Sequence, residues 1–226
     1  MEKNQGRALL SRPQIVDCNP FDFRLAIFYR HEVFVTYNEL MTWARFCSFW
    51  IYPSLAALLL LLSLQQKPPW GQLLWLIPLG GFIWSLLEYL LHRFFFHWVP
   101  HHRKIKRIVQ SLHFSHHGDP RNPDKILVRP LYSLPVSALF LGGFYAVTGS
   151  FFAASALLTG IWLGFLYYEL VHYRLHLSKV SDGLLQVQRQ GHFYHHFVDP
   201  NHCFGVTSPL WDRIFGTYRP PPARPE

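Results

Sequence analysis

The chain has 226 residues, half of them apolar and 17% aromatic, but only 15% charged, against roughly 25% in soluble domains. That balance excludes a disordered chain, a coiled coil and a repeat array. Lys and Arg number 21 and Asp and Glu 13, a net charge of +8 that points to an anionic surface such as nucleic acid or a membrane. Three cysteines without paired spacing exclude a disulfide scaffold and a Cys-type zinc site.

The first 45 residues are polar and basic and read as a cytosolic or interfacial segment, without a signal peptide. Its stretch Phe21–Arg45 suits an interfacial helix. Four apolar runs follow: 46–64 and 131–149 carry no charge, and 70–91 and 150–171 carry one each, Glu88 and Glu169. At 19 to 22 residues each, they are long enough to cross a hydrocarbon core of roughly 30 Å as helices. QQKPP separates the first two, and the last two meet around Thr148–Gly149–Ser150, so the runs pair into two hairpins. Pro78 and Pro135 are tolerated in such helices.

Charge then gives the topology. Residues 1–45 hold six Lys or Arg, 92–130 hold eight and 172–226 hold six, so 20 of 21 fall on one side and only Lys67 on the other. The positive-inside rule places that side in the cytosol. The +8 is accounted for by anionic headgroups, and no nucleic-acid motif supports the other partner.

Ten of the 14 His fall into four clusters, all on the same side as the basic residues: His92 and His97 (H-x4-H), His113, His116 and His117 (H-x2-H-H), His172 and His176 (H-x3-H), and His192, His195 and His196 (H-x2-H-H). Residues three and four apart share a helix face, so H-x2-H-H presents three imidazoles together, while H-x4-H places His97 beyond its helix end, in a turn near Pro100. Neutral imidazole is the commonest protein ligand for Fe, Zn, Cu and Ni. Ten suit two ions of five or six positions each. The pattern repeats: HFSHHGDP (113–120) echoes HFYHHFVDP (192–200), and each follows a hairpin. Glu88 and Glu169 lie four and three residues before His92 and His172, positions from which a carboxylate orients an imidazole or offsets metal charge. His31, His101 and His102 read as surface residues. His202 is a candidate partner of the last cluster, and Cys203 a packing residue.

These clusters resemble the membrane fatty acid hydroxylase and sterol desaturase superfamily over residues 45–219. YYELVHYRLH (167–176) and DKILVRP (124–130) are similar to motifs of its fatty acid 2-hydroxylase branch, and FGVTSPLWDRIFGT (204–217) is similar to a segment shared more widely. The resemblance implies an all-α integral membrane protein: four transmembrane helices in two hairpins under a cytosolic helical cap with a His-rich dinuclear metal site, followed by a Pro-rich tail at 220–226. It implies two iron ions held by the ten histidines, with zinc able to occupy the same imidazoles in a purified sample, O2 as co-substrate, and a membrane lipid or acyl chain as substrate. Trp211 and Asp212 would stabilise the cap. The branch's haem-binding cytochrome domain is not expected in 45 residues, so electrons are expected from a separate reductase, ferredoxin or cytochrome. The implied reaction is 2-hydroxylation of a fatty acyl chain. A sterol or carotenoid hydroxylase or desaturase of the same superfamily is one alternative, and a non-enzymatic metal-binding membrane protein or transporter is another.

Overall fold

A computed structural model describes residues 46–66, 68–179 and 183–219. The interfacial helix expected over Phe21–Arg45, His31, Lys67 and the tail at 220–226 lie outside the described residues. Those described are helical, with no strand among them. Four segments are long and apolar enough to cross a membrane: Ser48–Gln65, Trp70–Phe96, Pro123–Thr148 and Phe151–Leu177.

Helix α1 (Ser48–Leu62) is followed by two short 3-10 turns and by α2 (Leu73–Leu90). A π-helical segment, Leu91–Phe96, prolongs α2. Helix α3 (Arg103–Val109), a second π segment (Gln110–Phe114), α4 (Ser115–Gly118) and α5 (Pro123–Ile126) form the first half of the cap. The second hairpin is α6 (Pro130–Thr148) and α7 (Phe151–Leu177). Helices α8 (Gly183–Phe197) and α9 (Leu210–Ile214) complete the described chain.

The turn between α6 and α7 needs almost no loop because Gly149 takes a left-handed conformation (φ 64°) and Ser150 caps α7 by accepting the Ala153 N–H. A left-handed C-terminal residue is ordinarily glycine, which bears no Cβ penalty. Pro53, Pro78 and Pro135 each stand sixth in their helices.

Helix α7 is the core. Of its apolar window 72% is buried, against 6% to 22% in the other three spans. Helices α1, α2 and α6 all pack on α7. The first pair is therefore a hairpin by connection, while its helices lie against α7 rather than along one another. The α2–α7 approach rests on glycine. A Cβ at Gly80 would stand 2.1 Å from the Leu157 carbonyl oxygen, and one at Gly160 would stand 2.1 Å from that of Ile77. Small residues let helix backbones meet closely where lipid supplies no hydrophobic drive to associate.

Candidate metal centre

The structure gathers the ten clustered histidines into two groups of five: His92, His97, His113, His117 and His195, and His116, His172, His176, His192 and His196. Within each, one nitrogen per ring lies within 4.8 Å of all the others. Seven of the ten residues are buried, and His97, His117 and His196 are half-buried. His101 and His102 are exposed, as expected of surface residues.

The halves of the sequence do not map one to one onto the groups. In each H-x2-H-H motif the first and third imidazoles (i and i+4) join the group of their own half, and the middle one (i+3) crosses over. His116 thus joins the second group and His195 the first. Positions i+3 and i+4 stand about 100° apart around a helix of 3.6 residues per turn, on either side of position i, which is enough to aim neighbours at different centres. His117 and His196 stack across the boundary, centroids 4.0 Å apart and planes 14° apart.

Both π segments lie where histidines must be aimed. One fills the interval between His92 and His97, and His97 itself caps it (φ −91°, ψ 1°). The second leads into His113–His117. A π turn inserts one residue per turn and recurs at functional sites, and it lets a spacing of five return to one face. The expected turn at His97 is present, but the π segment before it had no sequence signal.

The donor geometry fits metal ions. Nε2 of His92 lies 3.1 Å from Nε2 of His113, which lies 3.1 Å from His97 and 2.9 Å from His117, and Nε2 of His97 lies 2.9 Å from that of His195. In the second group His172 and His116 are 3.0 Å apart and His176 and His192 2.7 Å. Ligands at right angles on an ion with metal–nitrogen bonds of 2.0–2.1 Å are about 2.9 Å apart, against about 3.3 Å for a tetrahedron. Five nitrogens at these separations match a crowded, octahedron-like set with a position left over. Hydrogen bonding does not account for all of them, because Nε2 of His113 has one hydrogen or one lone pair to offer three neighbours. Nδ1 of His92 meets the Phe204 carbonyl at 2.5 Å and Nδ1 of His195 meets that of His202 at 2.9 Å. Those acceptors assign the proton to Nδ1 and leave Nε2 a bare lone pair facing the centre. Nδ1 of His116, His172 and His192 and both nitrogens of His196 are buried without a partner among the described residues.

Burial, reinforced by neighbouring imidazoles, keeps the cap histidines neutral. It lowers His97 and His117 to about 4 and His116 and His195 to about 3, and it pushes His113, His192 and His196 down as well. Neutral imidazole is the ligating form.

Asp212 holds the cap as the resemblance implies, whereas the two glutamates hold backbone rather than imidazoles. Neither Glu88 nor Glu169 hydrogen-bonds an imidazole. Glu88 accepts from the Val206 N–H (2.7 Å), the Thr207 N–H (2.8 Å) and the Thr207 hydroxyl (2.6 Å). Asp212 accepts from the Phe204 and Gly205 N–H groups, each at 2.8 Å, and from the Thr217 hydroxyl at 2.7 Å. Together they clamp the loop whose Phe204 carbonyl orients His92. Cys203 in that loop is buried and left-handed (φ 58°). This uncommon conformation for a residue with a Cβ accompanies the placement of its two flanking carbonyls, His202 and Phe204, on His195 and His92. His202 thus contributes through its backbone, and its ring is held by Asp199 at 2.6 Å. Glu169 receives the Val128 N–H on both oxygens, at 3.2 and 3.1 Å, and pins the segment before α6. The physical reason is common to all three: a buried carboxylate needs donors, and non-helical backbone has N–H groups to give. Trp211 donates to the Ser85 hydroxyl at 3.0 Å and ties α9 to α2.

Below the histidines lies an apolar cavity of about 240 Å³ between α1, α2, α6 and α7, with His92 and Glu88 at one end and Phe140, Ile161 and Trp162 at the other. The rise of 1.5 Å per residue puts Ile161 about 16 Å below His172 along α7. The site therefore joins a greasy slot to a cluster of metal-ready imidazoles.

The fatty acid hydroxylase family matches residues 77–217. Similar curated proteins are the ceramide very long chain fatty acid hydroxylase scs7 of Schizosaccharomyces pombe, 30% identical over 63% of this chain and 42% of its own length; the human fatty acid 2-hydroxylase, 35% over 64% and 40%; and the dihydroceramide fatty acyl 2-hydroxylase FAH2 of Arabidopsis thaliana, 32% over 63% and 60%. A solved structure of full-length scs7p, with only the hydroxylase domain visible, superposes with a TM-score of 0.71 at 28% identity, covering 80% of this chain and 68% of that one. The chain spans about two fifths of the length of the first two relatives. With the family matched over well more than half of its residues, the chain belongs to the fatty acid hydroxylase family.

Proposed function

We propose that this chain hydroxylates a fatty acyl chain at carbon 2 in an O2-dependent reaction, with two iron ions held by the ten histidines as the redox centre. The observation that carries this is the meeting of two five-imidazole groups with an apolar, acyl-sized cavity at His92. The names of the relatives, fatty acid 2-hydroxylase and dihydroceramide fatty acyl 2-hydroxylase, support position 2. His92, His97, His113, His117 and His195 would hold one ion, and His116, His172, His176, His192 and His196 the other. Bound there, iron would supply the activation of dioxygen needed to replace an unactivated C–H by C–OH.

The chain's own residues do the rest. The cavity takes the alkyl chain from the bilayer and keeps water from it through Phe140, Trp162 and Phe165. The Phe204 and His202 carbonyls hold the protons of His92 and His195 on Nδ1, keeping both Nε2 lone pairs directed inward. Glu88 and Asp212 fix the loop that bears those carbonyls, and Glu169 fixes the wall between the cavity and the cap. The hydroxylase domain occupies 46–219, with the histidines and both termini cytosolic, as the placement of 20 of 21 basic residues supports. Electrons reach the site from a separate carrier.

The test is mass spectrometry of acyl chains after incubation of the iron-loaded protein in lipid vesicles with a reductant and labelled dioxygen. One labelled oxygen at carbon 2 is expected, and its loss in His116→Ala and His195→Ala. Full turnover in either variant overturns the proposal.

A further inference from the structure

The two histidine groups differ in what stands behind their rings. In the first, Nδ1 of His92 and Nδ1 of His195 donate to the Phe204 and His202 carbonyls. No ring nitrogen of that group is buried without a partner among the described residues. In the second, Nδ1 of His116, His172 and His192 and both nitrogens of His196 are buried with no hydrogen-bond partner among the described residues. Secondary structure explains the difference. The acceptors of the first group belong to the loop at 202–207, whose carbonyls lie outside any helix and can turn toward a ring. The second group is carried on helices, His116 on α4, His172 and His176 on α7, and His192 and His196 on α8. Helix carbonyls are largely taken by the N–H groups four residues on. Aromatic rings flank these ligands instead: Tyr168 stacks on His172, centroids 5.4 Å apart, and Phe193 lies 5.6 Å from His176. Glu169, three residues before His172, is occupied by the Val128 N–H.

That difference bears on metal affinity through the position of one proton per ring. A neutral imidazole that ligates through Nε2 carries its proton on Nδ1. In the first group two carbonyls already hold such protons. In the second, Nε2 of His172 and Nε2 of His116 stand 3.0 Å apart, so without an ion one ring donates its Nε2–H to the lone pair of the other. Binding an ion breaks that hydrogen bond and moves the proton to Nδ1 of the same ring. Whichever of the two rings it is, that Nδ1 has no acceptor among the described residues. A buried N–H left unsatisfied opposes binding, while an acceptor behind a ligating imidazole is typically worth about ten- to a hundredfold in metal affinity.

We infer that the two groups hold metal unequally: His92, His97, His113, His117 and His195 form a tight site, and His116, His172, His176, His192 and His196 a site about tenfold weaker or more, whose filling follows metal supply. The inference rests on the reading of the ten histidines as ligands of two ions. It makes completion of the two-metal state, which the proposed hydroxylation needs, a property of the second group, and it makes that group the first to empty when metal is scarce.

The test titrates the full metal-free chain in nanodiscs with Co(II) against a competing chelator and counts cobalt per chain by elemental analysis. Two steps are expected, separated about tenfold or more. His176→Ala is expected to lose the weaker step and keep the tighter one, and His97→Ala the reverse. Glu88→Ala, which frees the loop bearing the Phe204 carbonyl, is expected to weaken the tighter step about tenfold or more and to leave the weaker one in place. A measurement on wild type alone keeps the inference falsifiable where a variant does not fold: in crystals of protein carrying one equivalent of Co(II), anomalous scattering at the cobalt edge is expected to place the ion in the group of His92 and His195. Two equal steps, a first ion seated in the group of His116 and His172, or an ion shared evenly between the groups overturns the inference. The two readings fail separately. Unequal steps without hydroxylation by the iron-loaded protein refute the catalytic reading alone, and hydroxylation by a protein whose two steps are equal refutes the inequality alone.

Discussion

Replacing Glu88 by Ala tests whether the loop at 202–207 is held in place for the metal centre. The side chain is 4% exposed and receives two backbone N–H groups and one hydroxyl, at 2.6 to 2.8 Å. Truncation leaves the Val206 and Thr207 N–H groups without an acceptor, at roughly 1–3 kcal/mol each for a buried unsatisfied group. The Thr207 hydroxyl can turn to a new partner and adds little. The sum is about 2–6 kcal/mol against the closed loop, enough to shift it largely to the open form at a tenfold change per 1.4 kcal/mol. Opening withdraws the Phe204 carbonyl from His92, so the first five-histidine group is the one that suffers. Metal per chain, measured by elemental analysis after loading with iron, is expected to fall from two toward one in Glu88→Ala. Glu88→Gln, which keeps a carbonyl oxygen for the two N–H groups, stays near two. A Glu88→Ala protein with full metal content and a wild-type unfolding midpoint would refute the reasoning.

Three further predictions follow from the geometry. The crossing of His116 and His195 predicts that His97→Ala combined with His195→Ala costs no more metal than either alone, because both belong to one group, whereas His97→Ala with His176→Ala empties both; equal losses in the two pairs would contradict the assignment. Gly80→Ala and Gly160→Ala push a methyl to 2.1 Å from a backbone oxygen and are expected to lower the unfolding midpoint in detergent by at least the roughly 1–3 kcal/mol of core overpacking, while Gly81→Ala, with its nearest neighbour at 3.8 Å, leaves it unchanged. The metal-free protein is expected to lose stability as pH falls from about 6.5 toward 3, because unfolded histidines take up protons there while His116 and His195, lowered by burial to about 3, do not; a denaturation midpoint flat between pH 7 and 5 would show that these rings are not held neutral.

How much of this was legible in the sequence depends on the range of the interaction. The four spans could be read from run length alone, and the tight α6–α7 turn from Thr148–Gly149–Ser150, because both are local. The ten histidines were legible because i, i+3 and i+4 spacing is local too. What escaped was the aim of each ring. Whether His116 faces the ligands of its own half or of the other depends on where α7 and α8 come to rest, and nothing within the motif encodes that. Glu88 and Glu169 show the same limit. Their spacing from His92 and His172 suggested imidazole partners, yet their hydrogen-bonding partners lie more than a hundred and about forty residues away along the chain, in backbone whose exposed N–H groups no motif announces. The π segments were equally hidden, since the distinction between four and five residues per hydrogen-bonded turn is made by tertiary demand at His92 and His97 rather than by composition.

The exchange of middle histidines has a consequence for modularity. Cut between α5 and α6, the first half would retain four members of one group and a single member of the other, and the second half the reverse. Neither fragment holds a complete group, yet two such fragments facing each other would complete both by lending one imidazole apiece. The ligand pattern is that of a reciprocal pair written into one polypeptide. Covalent linkage turns an encounter between halves into an intramolecular event at high effective concentration. A metal centre held by these two groups would thereby be independent of protein dilution in the bilayer, where a pair of separate halves would come apart.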